Sequence, residues 1–175
     1  MTPPDGPRVV LIGPPGAGKT SVGRALATRW GVPFRDTDED VERAAGKAVS
    51  EIFVDDGEAR FRELEADAVA AALDDHPGVL ALGGGAVTTP VTRERLSGLR
   101  VVFLDVGLAA ASSRVGLGST RPLLLGNVRS QLKALLDSRR PLYSAAASVT
   151  VVTDDLSVDE VVEQVAAAVE QQIGA

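Results

Sequence analysis

Gly13-Pro14-Pro15-Gly16-Ala17-Gly18-Lys19-Thr20 is a complete G-x-x-x-x-G-K-[ST] pattern, and it directly follows the apolar run Val9-Val10-Leu11-Ile12. A strand, a glycine-rich turn and a helix opening at Lys19 are the expected order. Glycines let successive backbone N–H groups turn inward around phosphate oxygens, and the helix start points its positive dipole end at the same anion. Lys19 would reach the β- and γ-phosphates of a nucleotide. Thr20 would offer its hydroxyl to Mg²⁺, an ion that keeps several waters and takes few protein ligands. The plainer alternative is a glycine turn that only caps a helix.

Outward from this stretch, short β-branched runs at residues 8–12, 33–36, 78–82, 100–106 and 149–153 alternate with helical patterns at 19–30, 58–73, 128–138 and 158–173. Such alternation predicts an α/β protein with a parallel sheet covered on both faces. Ser157, with Glu160 three residues on, reads as the cap of the last helix. Residues 115–128 fit neither pattern: Gly116, Gly118, Pro122 and Gly126 surround Arg121, as in a mobile surface loop.

The 175 residues argue for one domain, 1–175. Eighteen Lys and Arg against 24 Asp and Glu leave a net charge of −6, the wrong sign for a protein that holds nucleic acid by counterion release. With no cysteine, thiolate metal sites, disulfides and cysteine nucleophiles are excluded. The single histidine, His76 in Asp75-His76-Pro77-Gly78, reads as a solvated loop residue. The polar, Pro-rich start and the brevity of the apolar run after it predict a cytoplasmic protein without a membrane span.

Asp36-Thr37-Asp38-Glu39-Asp40 places carboxylates at the end of the second strand, where open α/β sheets bind ligands. If the strand continues, Asp36 and Asp38 project to one side, one toward a metal's water shell and the other toward an acceptor hydroxyl. A carboxylate there can take the proton that a phosphoryl acceptor loses. Equally, Asp38 could be a helix N-cap, with Glu39 and Asp40 complementing the dipole. Arginine matches carboxylate and phosphate oxygens with a planar fork, which singles out Arg62, Arg114, Arg121 and Arg139. For Arg62 an ion pair with Glu65 is the simpler reading, and for Arg139 a place near a helix C-terminus. Arg121, on a loop able to fold over a nucleotide, could stabilise charge on a transferring phosphoryl group. Gly83-Gly84-Gly85 after the third strand allows close backbone approach to a ligand, or makes a tight turn.

In order along nearly the whole chain, the phosphate loop, Asp36-Thr37-Asp38, Phe61-Arg62 with Glu65, Leu82-Gly83-Gly84-Gly85-Ala86-Val87, Thr120-Arg121-Pro122-Leu123-Leu124 and Arg139-Arg140-Pro141-Leu142-Tyr143 resemble the shikimate kinase family. The resemblance implies transfer of the ATP γ-phosphate to the 3-hydroxyl of shikimate, on the route to chorismate and the aromatic amino acids. It implies a P-loop three-layer sandwich, with a five-stranded parallel sheet of order 2-3-1-4-5, helices on both faces, an acceptor-binding helical segment near 38–73 and a mobile lid near 115–125. By the same resemblance Asp38 activates the hydroxyl, Arg62 and Arg139 clamp the carboxylate, Gly83, Gly84 and Gly85 face the acceptor, and Phe53 and Phe61 line its ring. Gly16, Ala17, Gly18, Lys19, Thr20, Ser21, Arg114 and Arg121 would hold ATP, with Lys19 and Arg121 also catalytic. Thr20 would ligate Mg²⁺ and Asp36 would hold it through water. The expected partners are shikimate and ATP, not nucleic acid or membrane, and a monomer is the default. One departure stands out: Thr153-Asp154-Asp155-Leu156-Ser157 lacks the basic residue that many relatives place beside the adenine. Gluconate kinases share the cradle and lid but not the glycine and arginine set. A nucleoside-monophosphate kinase would need a second base pocket, and a silent ATP-binding module would have no need of Asp38.

Overall fold

A computed structural model of the chain describes residues 6–114 and 125–174. All but the last residue of the expected lid, Arg121 included, lies outside the described residues. Five strands form one sheet: β1 (Val9–Ile12), β2 (Phe34–Asp36), β3 (Val79–Ala81), β4 (Val101–Asp105) and β5 (Val149–Val152). They run in the order β2-β3-β1-β4-β5 and every pair is parallel, as expected.

The central strand shows why. All four residues of β1 are buried, and their period of two divides them between the faces. Val9 and Leu11 pack with Val22, Leu26, Val165 and Val169, while Val10 and Ile12 pack with Val69, Leu82, Phe103 and Tyr143. The first group draws on α1 (Lys19–Trp30) and α8 (Val158–Gly174), and the second on α4 (Gly57–Asp75) and α7 (Leu125–Ala146). The expected Ser157 cap is present: its Oγ accepts the Glu160 N–H at 3.1 Å.

Four short helices escaped the sequence patterns: α2 (Thr37–Ala45), α3 (Val49–Asp55), α5 (Pro90–Leu96) and α6 (Leu108–Arg114), along with a 3₁₀ turn at Ala86–Thr88. α2 and α3 cap α4 through a third small core of Val41, Ile52 and Phe61. Three further expectations need correction. α7 begins at Leu125, inside the expected loop, and passes through Pro141 to Ala146, so Arg139 stands within the helix and not at its end. His76 is not solvated: it is 7% exposed, its Nε2–H donates to the Val79 carbonyl at 3.0 Å, and burial holds its pKa below the usual imidazole range. Asp36 and Asp38 do not share a strand, because the backbone turns helical at Thr37.

Candidate active site

The ends of β1, β2 and β3 open onto a cleft of about 690 Å³ lined by Gly16, Ala17, Gly18, Lys19, Thr20, Ser21, Asp36, Asp38, Gly83, Gly84 and Arg114 among others. Its phosphate end is built locally. Gly16 and Gly18 have φ of 83° and 92°, conformations that side-chain-bearing residues avoid, so the loop can coil only with glycine there. Lys19 Nζ donates to the Gly13 and Pro14 carbonyls at 2.6 and 3.0 Å, folded onto the loop it serves. Burial pushes its pKa down to about 8, against the pull of Asp38 and Asp36.

Arg114 ties this loop to the far side of the cleft, donating to the Gly16 carbonyl at 3.1 Å and to the Thr153 hydroxyl and carbonyl at 2.9 Å each. The segment after β5 lacks a base-stacking arginine; it presents Leu156 and Val158 to the cleft, while Asp154 turns away to accept the Gly107 N–H.

The two acids after β2 are separated by the helix that starts between them. Asp36 caps α2, its Oδ1 accepting the Asp38 N–H at 2.9 Å, and its Oδ2 accepts the Thr20 hydroxyl at 3.4 Å. Asp36 is therefore the N-cap that was conceivable for Asp38. Paired hydroxyl and carboxylate oxygens at the phosphate end are a donor set that suits a hard, hydrated Mg²⁺. Asp38, freed from capping, faces the cleft. Burial, then Asp36 and Glu65, push its pKa up to about 6 in spite of Lys19.

Beyond Asp38 lies a second charged group that the cleft lining does not include. Arg62 Nη1 pairs with Glu65 Oε1 at 2.8 Å, and Arg62 also reaches Glu58 at 3.5 Å. The ion pair expected for Arg62 is therefore present. Glu65 is 2% exposed, and its Oε2 has no partner among the described residues. Glu65 was visible in the sequence only as a helix-surface partner, since the Gly83 turn that packs against it comes from a distant segment. The triple glycine is what lets these groups converge. A Cβ on Gly83 would lie 2.5 Å from Asp38 Oδ1 and 2.9 Å from Glu65 Oε2, one on Gly84 2.9 Å from Pro15, and one on Gly85 2.3 Å from Arg62 Nη2. Arg139 adds a further cation near Lys19, Glu65 and the Tyr143 hydroxyl. Phe61 is buried in the small core, and Phe53, 37% exposed, lies against it with ring centres 4.6 Å apart.

A phosphate loop at the head of α1, a carboxylate with a raised pKa facing it and cations beyond that carboxylate define a P-loop phosphotransferase acting on a small acceptor. The family model for shikimate kinase matches residues 15–170. A shikimate kinase of Thermobifida fusca is 58% identical over 160 residues, spanning 91% of this chain and 93% of that protein, and one of Streptomyces coelicolor is 50% identical over 164 residues, spanning 94% and 96%. The Acinetobacter baumannii shikimate kinase solved in complex with shikimate superposes with a TM-score of 0.87 at 34% identity, covering 95% of this chain and 94% of that one. The chain belongs to the shikimate kinase family. A gluconokinase of Sinorhizobium meliloti, at 21% identity and a TM-score of 0.57, shares the fold.

Proposed function

We propose that the two halves of the cleft divide the reaction between them: the loop Gly13 to Thr20 holds ATP, and Asp38 with the Arg62, Arg139 and Gly83 to Gly85 group holds shikimate. The chain is an ATP-dependent kinase that transfers the γ-phosphoryl group to the 3-hydroxyl of shikimate, giving shikimate 3-phosphate and ADP. One observation carries the division: Asp38 stands where both halves meet, its charge coupled to Lys19 on one side and to Glu65 on the other.

Shikimate is a small anion with vicinal hydroxyls, so it needs cations at one end and acceptors at the other. Arg62 and Arg139 supply the first, as planar forks matched to a carboxylate. The Gly83 to Gly85 turn allows backbone to approach the ring. Asp38 accepts a hydrogen bond from the 3-hydroxyl and takes its proton as the oxygen attacks phosphorus. A pKa of about 6 suits that role, because the group is ionised at neutral pH yet basic enough to receive a proton. Lys19 leaves the Gly13 and Pro14 carbonyls for the phosphates. Thr20 and Asp36 would hold Mg²⁺, which neutralises charge on the phosphates and orients them when bound.

Arg114 braces the nucleotide side, and Arg121 would add positive charge over the transferring group. We read the chain as one kinase domain in which α2, α3 and α4 form the acceptor-binding segment. We further read it as a cytoplasmic monomer acting on small molecules, from the sequence alone; among the described residues no helix is long and apolar enough to cross a membrane. The test is ADP release with shikimate, gluconate or a nucleoside monophosphate as acceptor, with and without Mg²⁺. Shikimate-dependent, Mg²⁺-dependent release is expected. ATP binding without acceptor-dependent ADP formation would point to a silent module instead.

A further inference from the structure

We propose that Tyr143 is a positioning residue for the acid acceptor: its hydroxyl, hydrogen-bonded to the Gly84 carbonyl, ties the Arg139 face of α7 to the glycine turn after β3. The inference rests on the reading of Arg139 and Gly84 as acceptor-binding groups and goes further, naming what holds them in place.

Tyr143 is 1% exposed and packs in an apolar core, stacked on Phe103 with ring centres 4.9 Å apart. Phenylalanine would fill that space equally well. A hydroxyl buried there is unfavourable unless its hydrogen bonds are made, so its presence calls for a partner. The hydroxyl donates to the Gly84 carbonyl across 59 residues of sequence. Arg139, one helical turn earlier on the same face of α7, is the nearest cation acting on the same oxygen, and Arg62 and Glu65 are the next charges around it. Burial pushes the phenol pKa up to about 12, so the proton stays in place at any working pH.

The turn itself shows why an outside partner matters. The Gly83 carbonyl accepts the Ala86 N–H at 3.1 Å, and the Gly85 carbonyl accepts the Thr88 N–H at 3.0 Å and its hydroxyl at 2.6 Å. Those bonds are internal to the turn and its 3₁₀ continuation. The Gly84 carbonyl alone of the three is fixed by a side chain from another element. With glycine on both sides of the Gly84–Gly85 peptide, little else resists its rotation. Without the hydroxyl, that peptide could turn and the tie between the Arg139 face of α7 and the glycine turn would be lost, loosening the contacts proposed for the same ligand.

Tyr143→Phe keeps the ring and its stack on Phe103. Expected are a rise of about tenfold in both KM and Kd for shikimate, an ATP KM within twofold of the parent, a kcat reduced less than threefold and an unchanged melting temperature. A shikimate Kd within twofold of the parent would overturn the proposal. Because Tyr143 is the sole tyrosine, growth on 3-fluorotyrosine labels this site alone and tests the idea without a substitution. Its ¹⁹F resonance should shift on adding shikimate and much less on adding a non-hydrolysable ATP analogue; indifference to shikimate overturns the proposal. Arg139→Ala is measured alongside. If it binds shikimate normally, the clamp itself is wrong and the proposal falls with it. If it loses shikimate while Tyr143→Phe does not, the clamp stands and only the role of Tyr143 fails.

Discussion

Asp36 accepts the backbone N–H of Asp38 at 2.9 Å, so two carboxylates only two residues apart have opposite fates. Asp36 spends one oxygen on the helix and the other on Thr20, whereas Asp38 keeps its carboxylate for the cleft. The cap sets the backbone, and the backbone aims the Asp38 carboxylate.

Asp38→Asn should therefore lower kcat by at least about 10²-fold while leaving ATP affinity nearly intact, since the amide keeps the shape but cannot take a proton. Steady-state kinetics with calorimetric ATP binding checks this. A variant that turns over normally would remove Asp38 from the mechanism.

The same carboxylate should destabilise the unliganded protein. Its pKa of about 6 lies above the ordinary value of 3.8, so the fold binds the proton more tightly than the unfolded chain does. Stability attributable to this group is highest below pH 3.8 and falls as pH rises through 6. Asp38→Asn should consequently be more stable than the parent at pH 8 by about 1 to 2 kcal/mol, after discounting for partial exposure, and nearly equal to it at pH 4. Urea titrations at the two pH values measure the difference; equal gains at both would contradict the origin assigned to it.

Lys19, with a pKa pushed down to about 8 by burial, should regain its ordinary basicity when a triphosphate replaces the Gly13 and Pro14 carbonyls as its partner. ATP binding at pH 8 should then take up about half a proton, and binding at pH 6 close to none from this group. Calorimetry in two buffers of different ionisation enthalpy reads the uptake directly. No buffer dependence at pH 8 would mean that Lys19 is already fully charged in the free protein.

Gly85→Ala tests the close approach behind the acceptor group. The new methyl would fall 2.3 Å from Arg62 Nη2, the far end of a flexible side chain, so the guanidinium moves and the fold does not. Shikimate KM should rise about tenfold or more, with ATP KM and melting temperature little changed. A parallel loss of thermal stability would instead mark Gly85 as a structural turn.

Legibility in the sequence followed the range of the interactions. The phosphate loop and α1 could be read because their contacts lie within a few residues, and the strands because β1 is apolar throughout. α2 and α3 could not: they are nine and seven residues long, and what holds them is their packing on α4. The expected helix ended at residue 138, with Arg139 near its end, yet α7 continues through Pro141 because Leu142 and Tyr143 pack beneath the sheet. His76 read as solvated because its turn is polar; its partner, the Val79 carbonyl, is only three residues on, and what the sequence hid is the burial of the ring in the folded chain.

By itself, then, the order of residues determined that this chain wraps a phosphate at the head of its first helix and carries an acid after its second strand, because turn geometry and helix capping are decided by near neighbours. Tertiary structure alone decided that Glu65 is buried, that the Asp38 pKa is pushed up to about 6 and that Tyr143 meets Gly84. Desolvation and hydrogen bonds between distant segments exist only once the sheet and its helices have closed around them.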